Sequence, residues 1–425
     1  MEWLTPFRAC FGHEAQHISL GQYVNGLLSD SARKSMQAML SRVTEPVRYH
    51  AFQHFITDAP WESDNVWHVL REQLPEREGI AVLDDTGFIK KGEHSVGVKR
   101  QYSGSMGKVG NCQVAVTLNF WTAARSWLLG AALYLPKEWL ANRARRQKAH
   151  IPTSVRFQEK WQLALGLLRD VIASGLKVTA VIADSGYGDA TAFRAALHEM
   201  QLIYAVGVSS TLGVFRGTPE IVPPKREATP DAQRQPRPRL PLGVKVLKAK
   251  VLAAKLPASA WQPMTWQNAD NKPRVAEFAA RRVTPSRDWY RSLAPEVWLL
   301  CERSIDGTYD DKYFLVHLPS TATLEDLVLL AHQRWAIEQQ YQQLKTELGL
   351  DHFEGRTYQG WNRHVALTAV AYAFLQRERM TRAPGITFET VRAIVQEIFV
   401  GLIFASHPRY LQWLAEAREL LPLRL

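Results

Sequence analysis

Two short apolar runs that each close on aspartate, IAVLDDTG at residues 80–87 and VTAVIAD at 178–184, constrain this chain more than any other feature of its sequence. Runs of this length, bounded by turn signals, read as buried strands. Carboxylates at the carboxyl ends of such strands lie where open α/β sheets usually build their sites. The second run passes through a loop, SGYGD, into the helical segment TAFRAALHEM, which is strand, loop and helix in βαβ style. CQVAVTLNFW and SWLLGAALYL supply two further strands, and their succession suggests a meander. VRFQEKWQLALGLLRDVIASG reads as a helix with Gly175 as its C-terminal stop.

Upstream, from Ser19 to Leu74, apolar residues recur at helical spacing, with Asp30 and Asp58 as breaks or caps. Downstream the composition shifts. Residues 216–250 carry nine Lys or Arg against three acidic residues and are broken by prolines, which excludes a packed helix or a central strand. VAEFAARRV, EVWLLCERS and KYFLVHLP then return as strands of a β-rich insertion. A long amphipathic helix is predicted from Leu324 through LVLLAHQRWAIEQQYQQLKTELG, with further helices over Arg363–Leu375 and Phe388–Ile403. A chain of 425 residues exceeds what one core usually holds, so two or three domains are expected. The breaks fall as a helical region at 1–76, an α/β core in two parts at 77–210 and 321–378, a basic Pro-rich linker and β-rich insertion at 211–320, and a helical end at 379–425.

The formal net charge of +11 favours a polyanionic partner, nucleic acid being the commonest, although a surplus spread evenly over the surface would mean only solubility. Cys10, Cys112 and Cys301 are far apart and form no C-x-x-C pair, which suggests neither a disulfide framework nor a zinc site and fits a reducing compartment. The first residues show no signal-peptide pattern and no apolar run is long enough to span a bilayer, so a cytosolic protein without membrane partners is expected. There is no G-x-x-x-x-G-K-[ST] and no G-x-G-x-x-G after a strand, which disfavours P-loop and Rossmann enzymes.

The chemistry rests on carboxylates. Side chains alternate along a strand, so only one of Asp84 and Asp85 is expected to face a given site, while Asp184 closes the second run. A lone strand-end aspartate is equally a turn former; two such strands weaken that reading. A third element is the helix bearing Arg334, Glu338, Tyr341 and Lys345, whose spacing places them on one stripe, either solvated and ion-paired or lining a cleft. Carboxylates gathered from two strands and a helix repel each other and persist near neutral pH only with a compensating cation. Mg²⁺ suits such oxygen donors, and two such ions serve in-line phosphodiester displacement. Arg334 and Lys345 would then contact the scissile strand.

LDDTG, VIADSGYGD and QRWAIEQQYQQLKTELGLDHFEGR together resemble the three acidic motifs of bacterial DDE transposases with an RNase H-like catalytic domain, in the group whose third motif reads Tyr-x2-Arg-x3-Glu-x6-Lys. FQHFITDAPW and DDTGFIKKGEHSVGVKRQYSG are similar to proteins of insertion-sequence family 701. The resemblance covers roughly residues 45–375. It implies an α/β fold: an RNase H-like mixed-sheet core interrupted by a β-rich insertion, with an N-terminal helical DNA-binding domain and C-terminal helices. It assigns Asp85, which directly precedes the motif's Thr, Asp184 and Glu338 as catalytic ligands of two Mg²⁺ ions, with Mn²⁺ as a substitute, and puts Arg334 and Lys345 at the signature positions. The signature Tyr falls on Ala331, leaving Tyr341 as a candidate replacement. Relatives stack an aromatic residue near the end of the β insertion on a flipped base, for which Tyr313 and Trp298 are candidates here, although an aromatic in a strand is more often core.

Among basic segments, KEWLANRARRQKAH offers Lys137, Arg143, Arg145, Arg146 and Lys148 to phosphate, or forms a solvated helix face. The glycine-rich stretch holding Lys99 and Arg100 is expected to order on DNA beside Asp85. His54, His94 and His364 have no metal-ligand spacing. The leading expectation is cut-and-paste transposition by a homodimer that acts in the bacterial cytoplasm, at the nucleoid, on double-stranded terminal inverted repeats and target DNA. The alternatives are a stand-alone RNase H-like nuclease and a catalytically inactive, domesticated DNA-binding regulator.

Overall fold

The computed structural model describes residues 2–104, 107–122, 125–225, 237–267, 273–287, 289–333, 336–382 and 385–406, together with 409 and 412. The N-terminal apolar spacing forms four helices: α1 (Glu14–Leu28), α2 (Met36–Leu40), α3 (Tyr49–Thr57) and α4 (Ser63–Glu72). Ser35 caps α2 by accepting from the Ala38 N–H, and Asp58 is the C-cap of α3.

The chain then enters β1 (Glu78–Ile89), β2 (Lys99–Ser103), β3 (Lys108–Trp121) and β4 (Ser126–Leu133). Two short helices follow, α5 (Lys137–Ala141) and α6 (Arg143–Lys148), before α7 (Lys160–Ala173). Helix α7 begins five residues later than its apolar pattern suggests. Glu159 and Gln162 form a capping box at its start, and Arg146 donates to the carbonyls of Pro152 and Val155, fixing the preceding segment as a loop. Gly175, at φ +75°, ends the helix as expected. Strand β5 (Lys177–Ala183) leads into a single turn of helix, α8 (Ser185–Gly188), where a loop was expected, then α9 (Thr191–Glu199) and β6 (Tyr204–Val208).

Beyond it lie β7 (Gly213–Arg216), β8 (Leu247–Lys248), α10 (Ala249–Ala253), β9 (Gln262–Gln267), β10 (Pro273–Pro285), β11 (Val297–Ser304) and β12 (Lys312–His317). These join the earlier strands in one 12-stranded mixed sheet of order β2-β3-β1-β5-β6-β12-β11-β10-β7-β8, with β4 paired to β3 and β9 to β10. Strands β1, β5 and β6 are parallel neighbours; β3 runs antiparallel to β1, and β12 antiparallel to β6.

The long helix expected from Leu324 is divided into α11 (Leu324–His332) and α12 (Ala336–Gln342), the latter running into a π-helical turn at Gln343–Glu347. A π turn holds more residues than the 3.6 of an α-helix, so the stripe inferred from offsets of four and seven does not continue to Lys345. Helices α13 (Tyr358–Arg382) and α14 (Phe388–Ser406) complete the described chain. Among the described residues, no helix is long and apolar enough to cross a membrane.

Helix α13 is apolar around much of its circumference because it is enclosed. It packs against α1, α3, α4, α14 and β4, within an apolar cluster that runs from Trp3 to Val395. Arg363, fully buried on α13, donates to the carbonyls of Ile56, Ala59 and Trp61, which ties the N-terminal helices to it. His364, the next residue, presents Nε2 to the Gly349 carbonyl at 3.0 Å and Nδ1 to the Tyr23 hydroxyl at 2.9 Å. The carbonyl fixes the proton on Nε2, so the neutral ring is satisfied on both sides.

Burial pushes His364 from its ordinary 6.5 down to about 4. The unfolded chain therefore takes up a proton that the folded chain refuses, and stability present above pH 6.5 should fall as pH drops toward 4. His364 alone should contribute a loss of about 3 kcal/mol, with His198, also pushed down to about 4, adding to it. Urea unfolding of the parent and of His364→Gln across this range should show a shallower pH dependence in the variant; equal slopes would refute the assignment.

Candidate metal centre

The parallel ladder between β1 and β5 ends at the pair Leu83 and Ala183, whereas β1 stays paired with β3 as far as Ile89. From Asp84 onward, one edge of β1 is therefore open. Asp84 follows Val82 onto the face where Val82, Ile182 and Ile337 cluster beneath α12, and Asp85 takes the opposite face, toward α7. At an open edge both short side chains can bend toward the residue that ends β5. The expectation that only one of the two aspartates faces the site is corrected accordingly: Asp84, Asp85 and Asp184 each offer a carboxylate oxygen, and these oxygens lie within 4.8 Å of one another.

Each carboxylate is held differently. Asp184 is the N-cap of α8, its Oδ1 accepting from the Gly186 N–H at 2.9 Å. Asp84 is buried, with its main-chain carbonyl accepting from Thr117 Oγ1 at 3.2 Å. Asp85 is half-buried and ion-paired with Lys160, the first residue of α7. Beneath the group lies Tyr187 of α8, fully buried, its hydroxyl without a hydrogen-bond partner among the described residues. Burial, and then the charges of Asp85, Asp84 and Asp184, hold its phenol well above the usual range.

This donor set fits a hard divalent cation. All three groups are oxygen ligands of like charge, and their mutual repulsion is relieved by a cation placed among them. The orphaned Tyr187 hydroxyl adds a polar group that a hydrated ion's water shell would satisfy. Sequence reasoning missed Asp84, Lys160 and Tyr187; the paired aspartates and the tyrosine inside SGYGD were the available signals.

Glu338 is exposed on α12 and is not part of the three-carboxylate group, although its neighbour Ile337 is buried against Val82 and Ile182. Tyr341 faces the sheet: its hydroxyl pairs with Thr117 Oγ1 and accepts from Asn119 at 3.4 Å. Lys345 donates to the Gly87 carbonyl at 2.9 Å, and burial lowers its amine despite the opposing charges of Asp351 and Asp84. Arg334 lies outside the described residues.

The remaining expected DNA contacts are scattered. Tyr313 is buried in the main core, and Trp298 is half-buried, donating to the Pro319 carbonyl at 3.1 Å. Lys99 pairs with Glu138 at 2.6 Å, and Arg100 is exposed on β2. On α6, Arg143 is exposed, Arg145 stacks on Trp139 at 3.8 Å, and Arg146 is engaged with loop carbonyls.

Residues 6–273, more than half of the chain, match a family described as the DDE superfamily endonucleases. Asp84, Asp85 and Asp184 fall inside that match and Glu338 falls beyond it. The chain is also 28% identical over 190 residues to a probable transposase for insertion sequence element IS701 from Microchaete diplosiphon, covering 44% of this chain and 47% of that protein. The chain thus spans about half the length of the curated relative it matches.

The position of Asp184 depends on how closely α8 lies on β6. A Cβ at Gly188 would meet the Gly207 carbonyl oxygen at 1.9 Å. Gly188→Ala should therefore displace α8 and lower stability by about 1–3 kcal/mol. An unchanged urea midpoint would show that α8 is not seated in this way.

Proposed function

Because this chain belongs to the DDE superfamily endonucleases, we propose that it is a bacterial insertion-sequence transposase that binds double-stranded terminal inverted repeats and performs DNA strand cleavage and strand transfer. The single observation that carries this reading is the three-carboxylate group at the fork between β1 and β5. The strand order β4-β3-β1-β5-β6, with β1, β5 and β6 parallel and β3 antiparallel, supports an RNase H-like core, which the strands from β7 to β12 extend as an insertion.

In this reading Asp85, Asp184 and Glu338 hold the metal, with Asp84 as a further ligand on the face that α12 covers. Two Mg²⁺ ions, or Mn²⁺ in their place, would supply activation of the attacking water or 3′-hydroxyl and stabilisation of the leaving oxygen. The residues themselves set the geometry. Asp184 is oriented by its hydrogen bond to Gly186, and α12 is fixed over the site by Ile337 and by the Tyr341–Thr117 bond. Glu338, exposed on that helix, would have to join the group when DNA and metal bind.

In this reading Arg334 and Lys345 would contact the scissile strand, and Arg100, Arg143, Arg145 and Lys148 flanking phosphates. Lys345 would exchange its bond to the Gly87 carbonyl for phosphate. Residues 1–76 would recognise the ends of the element, two copies of the chain would pair on them, and the reaction would take place in the cytoplasm at the nucleoid.

Mg²⁺-dependent nicking of a duplex carrying the element's end tests this. Asp85→Asn, Asp184→Asn and Glu338→Gln should each abolish nicking while leaving duplex binding largely intact, and Asp84→Asn should reduce it. Full nicking by the Asp85, Asp184 or Glu338 variant would remove that residue from the site. Joining of the cut end to a second duplex separates a transposase from a nuclease, which only hydrolyses.

A further inference from the structure

Lys160 is the first residue of α7, and its Nζ is ion-paired with Asp85 Oδ2, 5.9 Å from the centroid of the Tyr134 ring. Its backbone is anchored: Ala164, Leu165, Leu168 and Val171 of α7 are buried, and the helix packs on β3 and β4. The capping box of Glu159 and Gln162 fixes the helix start. Only the side chain is free to move, and it is 36% exposed against 22% for Asp85. Asp85, whose Oδ2 Lys160 holds, is one of the three carboxylates that would take a divalent cation, so ammonium and metal compete for its charge.

We propose that Lys160 is the resident cation of the acidic group: it holds Asp85 in place while no metal is bound, and a divalent ion displaces it from that carboxylate. This rests on the metal reading above. Before the ion arrives, the amine offsets the repulsion that Asp85 experiences from Asp84 and Asp184. When the ion binds, breaking the pair opposes part of the gain, so Lys160 sets cation affinity downward. At the same time it keeps the ligands gathered. The freed amine, on a partly exposed side chain at the rim of the site, is then available to a substrate phosphate.

The test is calorimetric titration of the full chain with Mn²⁺ alone, alongside thermal unfolding in EDTA and in Mn²⁺. Lys160→Gln should bind Mn²⁺ about fivefold tighter, the factor that corresponds to losing one partly exposed competing ion pair. It should also melt below the parent in EDTA, with the gap closing as Mn²⁺ is added. Lys160→Arg, which keeps the pair, should bind Mn²⁺ no more tightly than the parent. Affinity in Lys160→Gln equal to or weaker than that of the parent would overturn the proposal, because loss of a competing cation must raise it. If the parent itself takes up no Mn²⁺ and Asp184→Asn behaves like it, the metal reading falls and this inference falls with it.

Discussion

Repulsion among three carboxylates at the point where β5 leaves β1 is the constraint around which this structure is arranged. Oxygens within 4.8 Å of one another repel by a few kcal/mol per pair at the effective dielectric of a protein surface. The fold offsets this with local devices: the Gly186 N–H for Asp184, the Lys160 ammonium for Asp85, and an apolar floor of Val82, Ile182 and Ile337 that keeps the backbone from relaxing apart. Gly188 and Gly207 add a steric device, since their missing side chains let α8 lie against β6 and carry Asp184 into the group. A site assembled against its own charge is poised for a cation, and this links its geometry to endonuclease chemistry.

Helix α12 serves this arrangement as a brace. A cleft-lining helix would turn its polar stripe outward, yet Tyr341 is bonded to Thr117 on β3, the strand paired with β1, and Lys345 to the Gly87 carbonyl on β1, which carries Asp84 and Asp85. The π turn at Gln343–Glu347 bears on the second of these bonds: by adding residues to one turn it rotates Lys345, which meets β1 at Gly87. Glu338 is left exposed at the margin of the brace. The carboxylate group is thus assembled at the ends of strands, whose positions the sheet fixes.

Much of this was legible in the sequence, and the failures have physical causes. The apolar runs of β1 and β5, with Asp184 at the end of the second, followed from pattern alone, as did β10, β11 and β12. Asp84 was set aside because alternation puts it and Asp85 on opposite faces and the resemblance favoured Asp85; at an open edge both short side chains can still bend to one point. Lys160 was hidden because partnership with Asp85, 75 positions earlier in the chain, leaves no local signature. Tyr187 sits in a helix of one turn, too short for periodicity to register. Likewise the bonds of Arg363 to residues 302–307 positions away join the N-terminal helices to α13, and no spacing rule reaches that far.

The same long-range bonds change what the charge surplus means. A net +11 favoured a polyanionic partner, but a few of these cations face inward. Lys34, Arg71, Arg194 and Arg363 are buried and donate to backbone carbonyls, while Lys90 and Lys345 do the same at the loops flanking the site. A cation held on a carbonyl in the interior still adds to the protein's overall field, but it is not available for a direct phosphate contact. Even the densest cluster divides: in α6, Arg146 secures the loop that precedes α7, while Arg143 and Lys148 point to solvent. Because that loop leads directly to Lys160, the inward-facing arginine of α6 bears on the carboxylate site through the start of α7, while Arg143 and Lys148 stay exposed.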